Sequence, residues 1–272
     1  MTINITLHKQ SYKIDLTTLA EISIPLNFHG KQPNHFDAPH ADSKALESTD
    51  FIGDTRRGGS CNVEEIRLIP HCNGTHTECI GHITDERIAI TEVTLDLLIP
   101  ATLITVAPVI ASETGDDYDP QKTANDLLIT TDSLKKALAK NDRTFLDGLV
   151  IRTLPNDASK KIRRYTEQPP PFFSTPAMRF ISDLPVRHLL VDISSLDRMH
   201  DEGKLSNHHI FWNVPPESHS PTPQSRRDRT VTEMIYVPDE IPDGNYLLSI
   251  QIPHFISDAA PSRVFLFSPI PA

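Results

Sequence analysis

The pattern of hydrophobic and polar positions predicts a series of short strands along the chain. The opening segment INITLHKQSYKIDL alternates and predicts a hairpin. Apolar runs in LDLLIPATLITVAPVI, LDGLVIRTLP and RHLLVDIS predict buried strands, and CNVEEIRLIP predicts a strand that leads into a histidine-rich segment. Three late strands are predicted in TVTEMIYVP, GNYLLSIQIP and SRVFLFSP, separated by turn signals such as PDG.

Two segments carry helical periodicity together with N-terminal capping signals. TTDSLKKALAK has a candidate N-cap at Thr131 or Asp132. STPAMRFISDLP has Ser174 or Thr175 as its cap and Pro176 near the first turn. Because strands and helices intermix without a regular βαβ period, we expect a single α/β domain over residues 1–272, with a mixed β-sheet and flanking helices. Residues 24–60 are rich in Pro, His, Asp and Gly and predict a long, functional loop.

Composition narrows the classes of partner and compartment. The 272-residue chain has a net charge of −10, which argues against nucleic-acid binding, and its basic cluster RRDR (226–229) predicts a solvated loop. No apolar run approaches the roughly 18 residues of a membrane helix. The N-terminus has no signal-peptide core, so we expect a cytoplasmic protein without membrane contact. The three cysteines lack CxxC pairing and argue against a disulfide framework.

One short segment, PHCNGTHTECIGH (Pro70 to His82), gathers histidine, cysteine and glutamate side chains that bind metals or transfer protons. His76 and Glu78 are two residues apart, so in an extended backbone they point to the same side. Gly74 permits a tight turn beside them. Zn²⁺ accepts thiolate, imidazole and carboxylate ligands. The candidate ligands of one metal ion or a pair of ions are Cys72, His76, Glu78 and His82, with His71 in reserve.

Two other interpretations of this segment stay open at this point. It could be a histidine-rich surface turn with buried cysteines. It could also be a structural zinc clip, although a domain of this size buries a substantial core and has little need for one. The clip would use Cys72, His76, Cys79 and His82.

Further ligands of a metal site can come from distant parts of the chain. SNHHIFW places His208 and His209 after a predicted strand, and Glu233 lies in the otherwise apolar strand TVTEMIYV. A carboxylate in such a strand is costly to bury unless it is paired or coordinated. The alternatives are a surface histidine and a solvent-facing glutamate on a half-exposed strand.

The segments NGTHTECIGH, VDISSLD, NHHI, TVTEM and IPDGNYLLSIQIP resemble the metal-dependent cyclase family, which includes bacterial kynurenine formamidases and isatin hydrolases. The family's opening signature runs His-x-Gly-Thr-His-x-Asp-x-Pro-x-His, and the resemblance extends from about Gly58 to the end of the chain. It implies the family's swivelling β/β/α fold and one or two Zn²⁺ or Mn²⁺ ions per chain. It also implies a small-molecule substrate and a homodimer or higher homo-oligomer.

The resemblance also implies roles for individual residues. His76 matches the second histidine ligand, Glu78 matches the aspartate that can bridge two metals, and His82 matches the histidine that donates and accepts protons. His208 and Glu233 match the late histidine and glutamate ligands. Asp192, Ser195 and Asp197 match a recurring Asp-x-x-Ser-x-Asp stretch of the family, which the resemblance implies to be structural.

The chain departs from the family pattern at several positions. Cys72 stands where the first histidine is expected, with His71 one residue early, and a thiolate is a good zinc ligand. Glu78 is one methylene longer than the family aspartate, and Ile80 replaces the family proline. An insertion at about 213–229 separates the two late ligands. The segment HFDAPH (35–40) copies part of the signature without Gly-Thr, so we interpret it as a loop whose Phe36 could contact an aromatic substrate.

The activity that the resemblance implies is hydrolysis of an amide C–N bond, in a formamide or a cyclic amide, as in an arylformamidase. A metal-activated water attacks the carbonyl carbon, and His82 gives a proton to the departing nitrogen. The substitutions at Cys72 and Glu78 leave a non-catalytic small-molecule-binding protein on the same fold as the alternative. A structural-zinc protein is a third hypothesis. The sequence has neither a GxSxG motif nor a phosphate-binding glycine loop.

Overall fold

The chain folds around one nine-stranded mixed β-sheet in the computed structural model, which describes residues 1–7, 9–93, 96–139 and 141–271. In chain order the strands are β1 (Thr2–Leu7), β2 (Gln10–Asp15), β3 (Leu19–Glu21), β4 (Asp42–Ala45), β5 (Glu47–Ser48), β6 (Phe51–Ile52), β7 (Glu64–Arg67), β8 (His76–Cys79), β9 (Ile99–Val106), β10 (Val109–Ile110), β11 (Leu127–Ile129), β12 (Gly148–Thr153), β13 (Phe172–Phe173), β14 (His188–Val191), β15 (Thr230–Glu233), β16 (Gly244–Gln251), β17 (Ala259–Pro261), β18 (Arg263–Phe267) and β19 (Ile270–Pro271). The helices are α1 (Pro70–Asn73), α2 (Thr131–Leu138), α3 (Thr175–Ser182) and α4 (Ser206–Trp212).

The large sheet has the spatial order β17-β8-β15-β14-β12-β9-β16-β18-β3. Its central strands β9, β12, β14 and β15 are parallel, and antiparallel strands extend the sheet on both sides. Smaller sheets are formed by β1-β2-β19, β10-β11-β13, β4-β7 and β5-β6. The predicted α/β fold with a mixed sheet and flanking helices is therefore confirmed.

Both faces of the central strands are buried, which explains their unbroken apolar sequences. In β12, Leu149 and Ile151 face a core that includes Met178 of α3 and Trp212 of α4. Val150, between them, points to the opposite face and a second core. The β1–β2 hairpin was predicted correctly and covers a third cluster around Ile14. No helix among the described residues has the length and apolar character needed to cross a membrane.

Three local predictions need correction. The N-cap of α2 is Thr130 rather than Thr131 or Asp132, because its side-chain oxygen accepts a hydrogen bond from the backbone N–H of Ser133 at 3.3 Å. Residues 24–60 contain the short strands β4 to β6, which are too brief to show an alternating pattern. In the basic cluster at 226–229, Arg229 is buried and donates to the carbonyl oxygen of Ser182 at 3.2 Å, so it is not solvated.

Candidate metal centre

Three buried side chains of ligand type lie on the neighbouring antiparallel strands β8 and β15. Glu233 lies opposite His76 and Val231 lies opposite Glu78, so these side chains share the helix-covered face of the sheet. The Nε2 atom of His76 is 3.6 Å from Oε2 of Glu233 and 3.9 Å from Oε2 of Glu78. All three are at most 5% exposed, so Glu233 is not a solvent-facing residue of a half-exposed strand.

A fourth side chain comes from helix α4. His208 is buried, and its Nε2 lies 3.1 Å from Oε1 of Glu78 and 3.7 Å from Oε1 of Glu233. Its Nδ1 lies 2.6 Å from Oδ2 of Asp197. Asp197 also accepts hydrogen bonds from the Tyr118 hydroxyl at 2.8 Å and from the backbone N–H of Asn207 at 2.7 Å. A carboxylate fixed in this way holds the imidazole ring with Nε2 turned to the other ligands, as in many metal sites.

Three less buried side chains form the outer part of the site. His82 lies in the 3₁₀ turn after β8, His71 in α1, and Asp258 directly before β17. Oδ2 of Asp258 is 2.9 Å from Nε2 of His71 and 3.6 Å from Nδ1 of His82. The two imidazole rings stack with their centroids 4.5 Å apart. These side chains are 26–32% exposed, so they lie where a solute can reach the site.

The two buried glutamates ionise very differently. Burial opposes ionisation of Glu78, but the neighbouring His82 charge and a hydrogen bond from His208 hold its pKa well below the usual range. Burial raises the pKa of Glu233, and the negative charge of Glu78 raises it further. Burial by itself would lower the pKa of His208, but hydrogen bonds to carboxylates, first that of Asp197, raise it well above its ordinary value. Burial lowers the pKa of His76 to about 4, so this imidazole is neutral at pH 7.

The donor set tests whether a metal ion fits. Nδ1 of His76 lies 3.0 Å from the carbonyl oxygen of Gly74, so Nδ1 carries the proton and Nε2 carries a lone pair. That Nε2 is buried without a hydrogen-bond partner and faces two carboxylates. Within the described part of the chain, neither Glu78 nor Glu233 forms an ion pair with a lysine or arginine. Two carboxylates that converge on an unpartnered imidazole lone pair, with no lysine or arginine to balance their charge, fit a cation, and imidazole with carboxylate suits zinc or manganese.

The predicted ligands do not all come together. Ligand atoms within 4.8 Å of one another define three groups, namely His76–Glu78–Glu233, Glu78–His82–His208 and His71–His82–Asp258. Cys72 belongs to none of them, whereas the neighbouring His71 belongs to the third. The geometry thus favours His71 over Cys72.

Two other candidates from the sequence lie apart from these groups. Cys79 packs in the core with its Sγ 3.4 Å from the carbonyl oxygen of Ile88, so the four residues of a zinc clip do not converge. His209 turns away from His208, and its Nδ1 lies 3.3 Å from the carbonyl oxygen of Val214. Asp258 is not among the predicted ligands, because it lies in HFISDAAP, a segment without metal-ligand spacing.

Comparison with models of protein families identifies the family of this chain. The family model for cyclases matches residues 14–198, which is more than half of the chain. No curated protein matches the sequence.

Solved structures provide a second comparison. A structure described as a predicted metal-dependent hydrolase from Bacillus stearothermophilus is similar over 92% of this chain and 98% of its own, with 18% identity and a TM-score of 0.58. Isatin hydrolase A from Labrenzia aggregata, bound to benzyl benzoate, covers 94% of each chain with 11% identity and a TM-score of 0.59. An isatin hydrolase bound to the product analogue thioisatinate covers 92% of each chain with 14% identity and a TM-score of 0.56. At these identities the likeness shows a shared fold.

Proposed function

Because this chain belongs to the cyclase family, we propose that it is a metal-dependent hydrolase that cleaves the C–N bond of a formamide or a cyclic amide. The observation that carries the proposal is the buried, unpartnered Nε2 of His76, which faces two carboxylates with no lysine or arginine partner among the described residues. The similar isatin hydrolase structures support the choice of a cyclic amide, since isatin is one.

The proposed metal is Zn²⁺ or Mn²⁺, held by His76, Glu78, His208 and Glu233. When bound, such an ion lowers the pKa of a coordinated water and polarises a carbonyl oxygen. The two oxygens of Glu78 face different histidines, since Oε1 is 3.1 Å from His208 and Oε2 is 3.9 Å from His76. This carboxylate would therefore be able to contact more than one ion. The imidazole at the edge of the ligand set is His71 rather than the thiol of Cys72, and its Nε2 lies 3.5 Å from Oε2 of Glu78 but closer, at 2.9 Å, to Oδ2 of Asp258.

His82 is the proposed proton donor. Its Nδ1 faces the buried ligands, 3.8 Å from Oε2 of Glu78, and the side chain is 26% exposed. It is therefore open to a substrate that approaches from solvent. Histidine exchanges protons near neutral pH, so it can give a proton to the nitrogen that leaves as the amide bond breaks. Asp197 has the separate role of keeping His208 oriented.

The test combines metal analysis with a substrate screen. Protein purified without chelator or histidine tag is analysed for metal by plasma mass spectrometry, and formamides, cyclic amides and lactones are screened for hydrolysis. We expect about one or two equivalents of zinc or manganese per chain, and turnover of an aryl formamide or cyclic amide. His82→Ala is expected to retain the metal and lose about 10²- to 10⁴-fold in kcat.

His254→Ala is the matched control, because His254 is exposed and belongs to none of the ligand groups. It should leave both metal content and turnover unchanged. Protein that contains metal but hydrolyses none of these compounds would contradict the proposal. Protein that takes up neither zinc nor manganese would instead point to a non-catalytic binding protein.

A further inference from the structure

Asp258 has no role in the proposed reaction, yet it completes a group of three ligand atoms at the mouth of the candidate metal centre. Its Oδ2 lies 2.9 Å from Nε2 of His71 and 3.6 Å from Nδ1 of His82. Ligands about 2.0–2.2 Å from a tetrahedral ion lie about 3.3–3.6 Å from one another. The two measured separations bracket that range, so only small shifts would open the group around an ion.

The fold holds Asp258 in this position. Strand β17 begins at the next residue and pairs with β8, where Ala259 lies opposite Glu78. The backbone N–H of Cys79 donates to the carbonyl oxygen of Asp258 at 3.0 Å. The carboxylate therefore stands beside the histidines because the edge of the sheet fixes it there.

Among the described residues, the ion-pair partners of Asp258 are two imidazoles. Across residues 1–7, 9–93, 96–139 and 141–271, no lysine or arginine forms an ion pair with it. Asp258, His71 and His82 are 26–32% exposed, whereas His76, Glu78 and Glu233 are at most 5% exposed. An ion at the outer group would thus exchange with solvent more readily than one at the buried group.

We propose that His71, His82 and Asp258 form a second, weaker zinc position, and that Zn²⁺ bound there inhibits the enzyme by occupying Nδ1 of His82. The inhibitory part rests on the proposed function, in which His82 donates a proton. Nδ1 is the nitrogen that faces both Glu78, at 3.8 Å, and Asp258, at 3.6 Å. One lone pair cannot bind a proton and a metal ion at once, so an ion at the outer position removes the proton donor.

The outer position should be the weaker one because it offers one carboxylate, whereas the buried group offers two. A site with more negative ligands binds a divalent cation more tightly. Zinc should therefore fill the buried group first and the outer position only at higher free concentration.

Equilibrium dialysis against graded free Zn²⁺, followed by plasma mass spectrometry, tests the binding step. Asp258→Asn is the informative variant, because Asp258 belongs to the outer group alone. We expect wild-type protein to bind a tight class of zinc and then one further, weaker equivalent. The variant should keep the tight class and lose at least tenfold in affinity at the weaker one. Asp50→Asn, the same substitution at an exposed residue, is the matched control and should behave as wild type.

The activity of the same samples tests the inhibitory step. Wild-type turnover should fall over the zinc range that fills the weaker class, and Asp258→Asn should resist this inhibition. Asp258→Ala provides a second variant, and thermal melting checks that both variants fold. The proposed second zinc position would be overturned if wild-type protein showed no weaker class of bound zinc, or if Asp258→Asn retained that class with unchanged affinity. If zinc binds in two classes but no amide is hydrolysed, the proposed function fails while the second position stands.

Discussion

The Lys160–Asp192 pair and the candidate metal centre both bury charged side chains near the carboxyl ends of the parallel strands β12, β14 and β15. They differ in how their hydrogen bonds are completed. Asp192 accepts from Lys160 at 2.7 Å and from the backbone N–H and hydroxyl of Thr153 at 2.8 and 2.7 Å. Lys160 also donates to the carbonyl oxygen of Thr153 at 2.6 Å. The two charged groups therefore complete their hydrogen bonds with each other and with Thr153.

In the candidate metal centre the hydrogen bonds are not completed in this way. Glu78 and Glu233 carry like charge, their charged neighbours among the described residues are histidines, and Nε2 of His76 has no partner. A buried group that completes its own hydrogen bonds contributes to the native structure, whereas a buried group with unused lone pairs needs a ligand. Completed hydrogen bonds, more than burial, therefore distinguish a structural ion pair from a binding site.

The largest expected effect comes from removing one partner of the Lys160–Asp192 pair. Lys160→Met leaves the carboxylate of Asp192 buried without its cation, and loss of one partner of a buried ion pair costs about 3–5 kcal/mol. Urea denaturation should show a fall of that size in the free energy of unfolding. Lys44→Met is the matched control, because Lys44 pairs with Glu65 at the surface with 70% of its side chain exposed; it should cost less than about 1 kcal/mol. A similar cost for both substitutions would remove the distinction between the pairs.

The second expected effect concerns the candidate metal centre, and its size depends on whether a metal ion is bound. The fold raises the pKa of Glu233, so ionising this carboxyl group destabilises the native state at pH values above the pKa of the unfolded chain. At pH 7 the charge of Glu233 therefore contributes little to the stability of the metal-free protein. Glu233→Gln retains an oxygen for the backbone N–H of Leu196, which now lies 3.0 Å from Oε1. We expect metal-free Glu233→Gln to unfold within about 1 kcal/mol of wild type.

With metal the two proteins should diverge. Wild-type protein should gain about 2.7 kcal/mol when metal is present at 100 times its dissociation constant. The variant should lose most of that gain, because one of its ligands is neutral. Denaturation of both proteins with chelator and with zinc measures the difference. A large loss of stability in metal-free Glu233→Gln would mean that the charges of the metal centre stabilise the fold without metal, as those of the Lys160–Asp192 pair do.

The longer strands, the helices α2 and α3, and the apolar run of β12, which is buried on both faces, were predictable, because hydrophobic patterning is a local property of the sequence. The prediction of His76, Glu78, His208 and Glu233 from their motifs stays a prediction of ligand roles, and the structure shows that these side chains converge. Asp258 was not predictable. Its neighbours carry no motif, and its contact with His71 depends on the pairing of β17 with β8, strands about 180 residues apart in sequence.

The smallest expected effect concerns two buried histidines, His188 in strand β14 and His208 in helix α4. Carboxylates raise the pKa of His208, whereas burial lowers the pKa of His188 to about 4, and no ion pair involves His188 in the described ranges. Since the ordinary pKa of histidine is about 6.5, the unfolded chain binds a proton that native His188 does not, and stability falls as pH falls from about 6.5 to about 4.

His188→Gln should remove this contribution, because a glutamine can keep a hydrogen bond to the Thr230 hydroxyl, now 2.8 Å from Nδ1, and does not titrate. Between pH 7 and pH 5, wild type should lose about 1–2 kcal/mol more than the variant in the free energy of unfolding. Urea denaturation at both pH values measures it. His29→Gln, at a histidine that is 67% exposed, should leave the wild-type slope unchanged. Equal slopes for wild type and His188→Gln would contradict the lowered pKa of His188 and would leave the carboxylates around His208 as the whole difference between the two buried histidines.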